Sequence, residues 1–270
     1  MNSHKNKLPP GEQLEAEAMR ALHDGANETT RRRLGLELKS INGAWVSMAR
    51  HDPSILLNRV VGLGLTEPAT RDGIDDILAA YRETGVGRFF LHGHPAAQPE
   101  DLPTLLTTAG LKPHRRWMKF KRGPQPAPEP QSDLTVRAIK PSEAADFGRI
   151  VAPSFDLSPE AAGLFSGLVG QAGFHLYGSF DGKRLAGTGV LYINGQRAWL
   201  DWGATDPAFR GRGSQRDVLA QRIRDAIDAG CTELITTTGE AVAGDPQHSY
   251  HNIEWAGFRP DYLRDNWVPT

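Results

Sequence analysis

Ile74, Ile77, Leu78 and Tyr81 recur three or four positions apart, which predicts an amphipathic helix over residues 71–84, stopped by Gly85. Short strand-like runs surround it. Residues 34–39 and 44–50 flank Asn42-Gly43 and read as a hairpin, 87–92 and 117–121 as strands, and 99–108 as a helix ending at Gly110. The second half predicts a strand at 134–139, helices at 142–151 and 159–170, and strands at 174–180, 184–193 and 197–205. Asp181-Gly182 and Asn194-Gly195 supply tight turns between those three strands. A helix over 216–229, a strand at 233–238, a helix ending near Gly257 and terminal strands within 258–268 complete the chain. An antiparallel meander followed by helix, strand, helix and strand predicts an α/β fold with a mixed central sheet.

Both halves close alike. Helices end at Gly85 and Gly110 in the first and at Gly230 and Gly257 in the second, and Leu111 and Phe258, then Pro113 and Pro260, follow the later glycine of each pair. This pattern points to an internal duplication. Between the halves, GPQPAPEPQS has proline at alternate positions, which favours extended polyproline and removes backbone donors. The expected organisation is therefore two domains, 34–122 and 133–270, with 123–132 as a semi-rigid linker, or two halves that share a sheet across a tight interface. The first 33 residues read as an appendage with a short helix over 11–23. Leu14, Ala18 and Ala21/Leu22 lie on one side of it, and Glu12, Glu15, Glu17 and Arg20 elsewhere. Arg31, Arg32 and Arg33 read as a solvated face.

Composition narrows the partners. The 31 basic and 32 acidic side chains nearly cancel, so no overall field draws nucleic acid. The basic cluster from Lys112 to Arg122 is interleaved with Pro113, Trp117 and Phe120, and reads as a rim or domain contact. A lone cysteine, Cys231, excludes an internal disulfide and cysteine-cluster metal sites; no metal is expected. No apolar run approaches the roughly 20 residues that span a bilayer, and Met1–Pro10 lacks a signal-peptide core. A cytoplasmic protein without membrane or nucleic-acid partners is expected, as monomer or homodimer.

The chemistry concentrates at Arg210-Gly211-Arg212-Gly213-Ser214-Gln215, between a meander strand and an amphipathic helix. Gly211 and Gly213 let the backbone approach a ligand, the amides of residues 212–215 become free donors at a helix start, and Ser214 is a candidate cap. A phosphate fits such a turn, with Arg210 and Arg212 adding charge-assisted bonds. No GK[ST] follows, so it is not a Walker loop, and a glycine loop after a meander is not a dinucleotide-binding fingerprint.

With these residues in place, 134–270 resembles the GNAT superfamily of acyl-CoA-dependent N-acetyltransferases. Its signature of Arg or Gln, two residues, Gly, one residue, then Gly or Ala aligns with Arg210, Gly213 and Gln215; Gln215 departs from the small residue. The first half resembles the degenerate copy of tandem members. The resemblance implies a GNAT-type sheet, a duplicated one, and acetyl-CoA as cosubstrate. It implies that Gly203, Ala204 and Thr205 splay from the strand over 234–238 to pair with pantetheine, that the 210–215 turn grips diphosphate, and that Asn252 lies near the pantetheine or thiol end. It further implies acetyl transfer to an amine, here of a small polar molecule.

Direct attack on a thioester needs no triad, since proximity and a backbone oxyanion donor near Ala204 or Thr205 supply the acceleration. The amine must lose a proton, and Asp201 or Glu240 is the candidate base. Where many family members have a tyrosine acid this chain has Ile253; Tyr250, one helical turn earlier, and Tyr262 are the substitutes available. Two other readings stay open: acyl-CoA chemistry of another kind (O-acylation or decarboxylation), and a non-catalytic CoA-binding regulatory module.

Overall fold

The computed structural model describes residues 8–270; the polar start read at Met1–Pro10 lies, through Lys7, outside them. Two helices, α1 (Pro10–Gly25) and α2 (Glu28–Leu34), precede the first half. That half comprises β1 (Leu36–Ile41), β2 (Ala44–Ala49), β3 (Arg59–Val61), α3 (Arg71–Thr84), β4 (Phe90–Gly93), α4 (Leu102–Thr108) and β5 (Leu111–Arg122). The second comprises β6 (Thr135–Ala138), α5 (Ala144–Ser154), α6 (Ala162–Leu168), β7 (Phe174–Asp181), β8 (Arg184–Asn194) and β9 (Arg197–Thr205). It continues through α7 (Ser214–Asp228), β10 (Glu233–Gly239), α8 (His248–Trp255) and β11 (Arg259–Pro269). The expected α/β fold with a mixed sheet is present. β3 was not foreseen, because three residues carry no readable alternation.

The eleven strands of the described residues form one sheet in the order β1-β2-β3-β4-β11-β5-β10-β9-β8-β7-β6. Only β3–β4 and β9–β10 are parallel, and each pair is bridged by a helix, α3 or α7. The last strand of each half has crossed over: β5 pairs with β10, β11 pairs with β4, and the two lie antiparallel to each other at the centre. The expected terminal strands are therefore one long strand, because β4 and β5 already supply both neighbours of β11.

Residues 123–132 contain no helix or strand. The end of this segment is pinned by Asp217, a side chain 1% exposed, whose carboxylate accepts from the backbone N–H groups of Gln131 (2.8 Å) and Ser132 (2.9 Å) and from the Ser132 hydroxyl. Removing a buried carboxylate that serves two amides leaves both donors unsatisfied. Asp217→Ala is expected to lower stability by about 2–3 kcal/mol, read as the urea midpoint; an unchanged midpoint would show that the segment is not held there.

Helix α1 is no appendage. Leu14, Ala18 and Leu22 enter the core shared by α5, α6 and one sheet face, alongside Phe147, Phe165, Trp199 and Trp202. Burying each leucine contributes about 1.5–3 kcal/mol. Part of the polar side is buried as well: Glu12 and Glu15 are 1% and 0% exposed and lie over the central strands. Glu15 meets Arg59 at 2.8 Å, Lys119 and Arg264; Glu12 meets Arg264 at 3.2 Å and accepts from the Tyr262 hydroxyl at 2.6 Å. Burial alone would raise both carboxyl pKa values. Arg264 and Lys119, joined at Glu15 by Arg59, outweigh it and hold both below the usual range.

Candidate functional site

Parallel pairing of β9 with β10 runs from Arg197–Glu233 to Leu200–Thr236 and stops there, although both strands continue. A bulge in β9 accounts for the divergence. Thr188 pairs with Ala204 and Val190 with Asp201, so Trp202 and Gly203 stand opposite Gly189 alone. Trp202 takes φ +52°, a left-handed conformation costly for an aromatic residue, and the extra residue bends its strand. A regular strand would put Trp199 and Trp202 on opposite faces; the bulge brings both into the α1-side core.

The resulting cleft, about 1010 Å³, is walled by Asp201–Thr205, Thr236–Thr238, Phe209–Arg216 and Asn252. It brings together Asp201, Gly203, Ala204, Thr205, Asn252 and the whole 210–215 turn. At the turn, Gly211 and Gly213 adopt φ +78° and +82°, and Gly213, not Ser214, is the N-cap of α7. Ser214 instead joins its hydroxyl to that of Ser179 at 2.7 Å. The first helical bond runs from Asp217 N–H to Gly213 C=O, and among the described residues no protein acceptor takes the amides of Gly211 to Arg216. Unpaired amides at a helix start, with the helix dipole behind them, are chemically suited to receive an anion. The two arginines differ. Arg212 is tied to Asp133 at 2.7 Å and Asp181 at 2.9 Å, hydrogen bonds that raise its pKa, whereas Arg210 is exposed and makes no ion pair among the described residues.

Asp201 accepts from Trp202 N–H at 2.8 Å and Trp199 Nε1 at 3.2 Å; burial raises its carboxyl pKa against those bonds and against Arg59. The other two catalytic candidates are not on the cleft wall. Glu240 is held by the Arg116 backbone and guanidinium at 3.0 Å each, and the Arg116 hydrogen bond lowers its pKa. Tyr250 packs edge-on against Phe120, ring centroids 4.8 Å apart. Tyr262 is occupied by Glu12. Asn252 accepts from Arg216 Nε at 3.1 Å.

Gln215 and Arg222, seven positions apart, face β9 from α7. Gln215 donates to Ala204 C=O at 2.6 Å, and Arg222 Nη1 donates to Asp201 C=O at 2.9 Å and Val190 C=O at 3.0 Å. These side chains splint the bulge to the helix that opens at the turn. Arg222 interrupts the apolar stripe of Val218, Leu219, Ile223 and Ala226 on α7, and a cation there was the signal available in the sequence.

No family profile matches the chain, and no curated protein does. Solved structures do. A GCN5-related N-acetyltransferase from Kribbella flavida superposes with a TM-score of 0.66 at 14% identity, covering 97% of this chain and 96% of that one. One from Sphaerobacter thermophilus gives 0.59 at 15% identity, covering 98% and 94%. A tandem GNAT protein from the clavulanic acid biosynthesis pathway gives 0.55 at 14% identity, covering 78% and 74%. At these identities the likeness establishes architecture: this chain has the fold of the GCN5-related N-acetyltransferases.

Proposed function

We propose that the cleft binds acetyl-CoA and that the protein transfers the acetyl group to an amine of a small polar molecule. One observation carries the reading: the unpaired amides from Gly211 to Arg216 open at one end of the same cleft whose wall is the diverging β9 with Asp201. The amides and Arg210 would hold the diphosphate. Backbone groups of Gly203 to Thr205, freed from β10, would pair with the pantetheine arm, with Asn252 facing it. Asp201 would take the proton from the attacking amine, since a carboxyl raised by burial is a better base at neutral pH. Glu240, locked to Arg116, is poorly disposed for that work. No tyrosine lines the cleft among the described residues, so the departing thiolate takes its proton from solvent.

A thiol-release screen of acetyl-CoA with chemically diverse amines, followed by mass spectrometry of products, tests the proposal. Release with at least one amine and a product heavier by one acetyl group is expected. CoA binding without release across a broad panel would favour a regulatory role instead. Among the described residues no helix is long and apolar enough to cross a membrane.

A further inference from the structure

Arg222 is 4% exposed, yet every hydrogen bond it makes goes to a backbone carbonyl: Val218 at 3.3 Å through Nε, and Val190 and Asp201 through Nη1. The Asp201 carboxylate accepts from Trp202 N–H and Trp199 Nε1 and makes no hydrogen bond to the Arg222 guanidinium. On the opposite sheet face the buried cations Arg59, Lys119 and Arg264 each touch a carboxylate of α1. Burial draws the Arg222 pKa down to about 10, so the side chain stays charged at neutral pH. A neutral donor would satisfy the same carbonyls without the cost of an unpaired buried charge.

The slot is built for a guanidinium. A Cβ on Gly189 would stand 2.8 Å from Arg222 Cζ and Nε, and one on Gly203 would stand 3.6 Å from Nη2. Nη2 donates to no protein atom among the described residues, lies on the Gly203 side, and belongs to a residue of the cleft wall. A cation with a free donor beside a strand bulge, reaching the cleft from a residue otherwise buried, suits an oxygen that becomes negative during reaction.

We propose that Arg222 is a catalytic residue, its Nη2 receiving the thioester carbonyl oxygen as that oxygen turns anionic; this rests on acetyl-CoA occupying the cleft. The amine lone pair forms the N–C bond while the C=O π pair moves onto the oxygen facing Nη2. That pair returns as the C–S bond breaks, and CoA leaves as thiolate with the bonding pair. The proton released by the amine passes to Asp201 and on to solvent, from which the thiolate is protonated.

Three probes test this by calorimetry: CoA, acetyl-CoA and S-carboxymethyl-CoA, which carries an anionic oxygen near the acyl position. The wild type is expected to bind the carboxymethyl compound about 10-fold more tightly than CoA, and in Arg222→Gln that ratio, taken against the variant's own CoA affinity, is expected to fall to about one. The infrared carbonyl stretch of bound ¹³C-acetyl-CoA should fall below its solution value in the wild type and return toward it in the variant. A folded Arg222→Gln protein that keeps both the preference and the shift overturns the proposal. If that variant does not fold, a wild-type crystal structure with S-carboxymethyl-CoA decides: a carboxylate hydrogen-bonded to Nη2 supports the assignment, and one seated elsewhere ends it. Failure of the wild type to bind CoA at all would sink the acetyl-CoA reading instead.

Discussion

Glu15→Gln is expected to destabilise the fold by about 3–5 kcal/mol, because it leaves Arg59, Lys119 and Arg264 buried without the carboxylate they share. For a chain of this size that corresponds to a melting temperature lower by roughly 10 °C. Glu12→Gln should cost less, since Glu12 contacts the edge of the cluster through Arg264 and Tyr262. The effect also has a pH signature. Both carboxyls are held below their ordinary value in the folded state, so the unfolded chain takes up protons first as pH falls. Their contribution is fully present above about pH 4.5 and is lost as pH drops through the lower folded values. Urea unfolding at pH 7 and pH 3.5 should therefore show the gap between wild type and Glu15→Gln shrinking in acid. A variant with the wild-type midpoint at pH 7 would mean that α1 contributes little through this cluster.

The second large effect concerns the turn. Gly213→Val is expected to weaken CoA binding by about 100-fold, since a β-branched residue resists φ +82° and its Cβ would press Ser132 at 3.2 Å, displacing the amides that follow. Arg210→Ala should weaken binding about 10-fold, whereas Arg212→Ala should change it less than about threefold, because Arg212 already serves Asp133 and Asp181. Calorimetry with CoA separates the three. Equal losses at the two arginines would show that Arg212 leaves its aspartates to meet the ligand, and unchanged affinity in Gly213→Val would remove the turn from the binding site.

What could be read from the chain alone was set by neighbours in sequence. Helix α3 spans the predicted 71–84 because its signals are local: Thr70 accepts from Gly73 N–H at 3.0 Å to cap the start, Ile74, Ile77 and Tyr81 share one buried face, and Gly85 turns left-handed at the end. The turns at Asp181-Gly182 and Asn194-Gly195 and the strand-to-helix turn at 210–215 were legible for the same reason. The parting of β9 from β10 was implied only by the family resemblance, and its cause was not legible at all.

The rest depends on residues far apart in the chain. The crossing of β5 and β11 is a choice between strand partners that local propensity does not distinguish. Nothing local marked Glu12 and Glu15 for burial, because their cations lie 44 to 252 positions away. The bulge that turns Trp202 inward depends on register with β8, and Gln215 and Arg222 acquire their partners only once α7 lies across it. Glu240 and Tyr250 followed sequence position toward the cleft, but Arg116 and Phe120, both from β5, hold them off its wall. Capping, turns and periodicity are nearest-neighbour physics and were fixed by composition along the chain; charge pairing and strand exchange are decided only when the tertiary fold brings distant groups into one low-dielectric space.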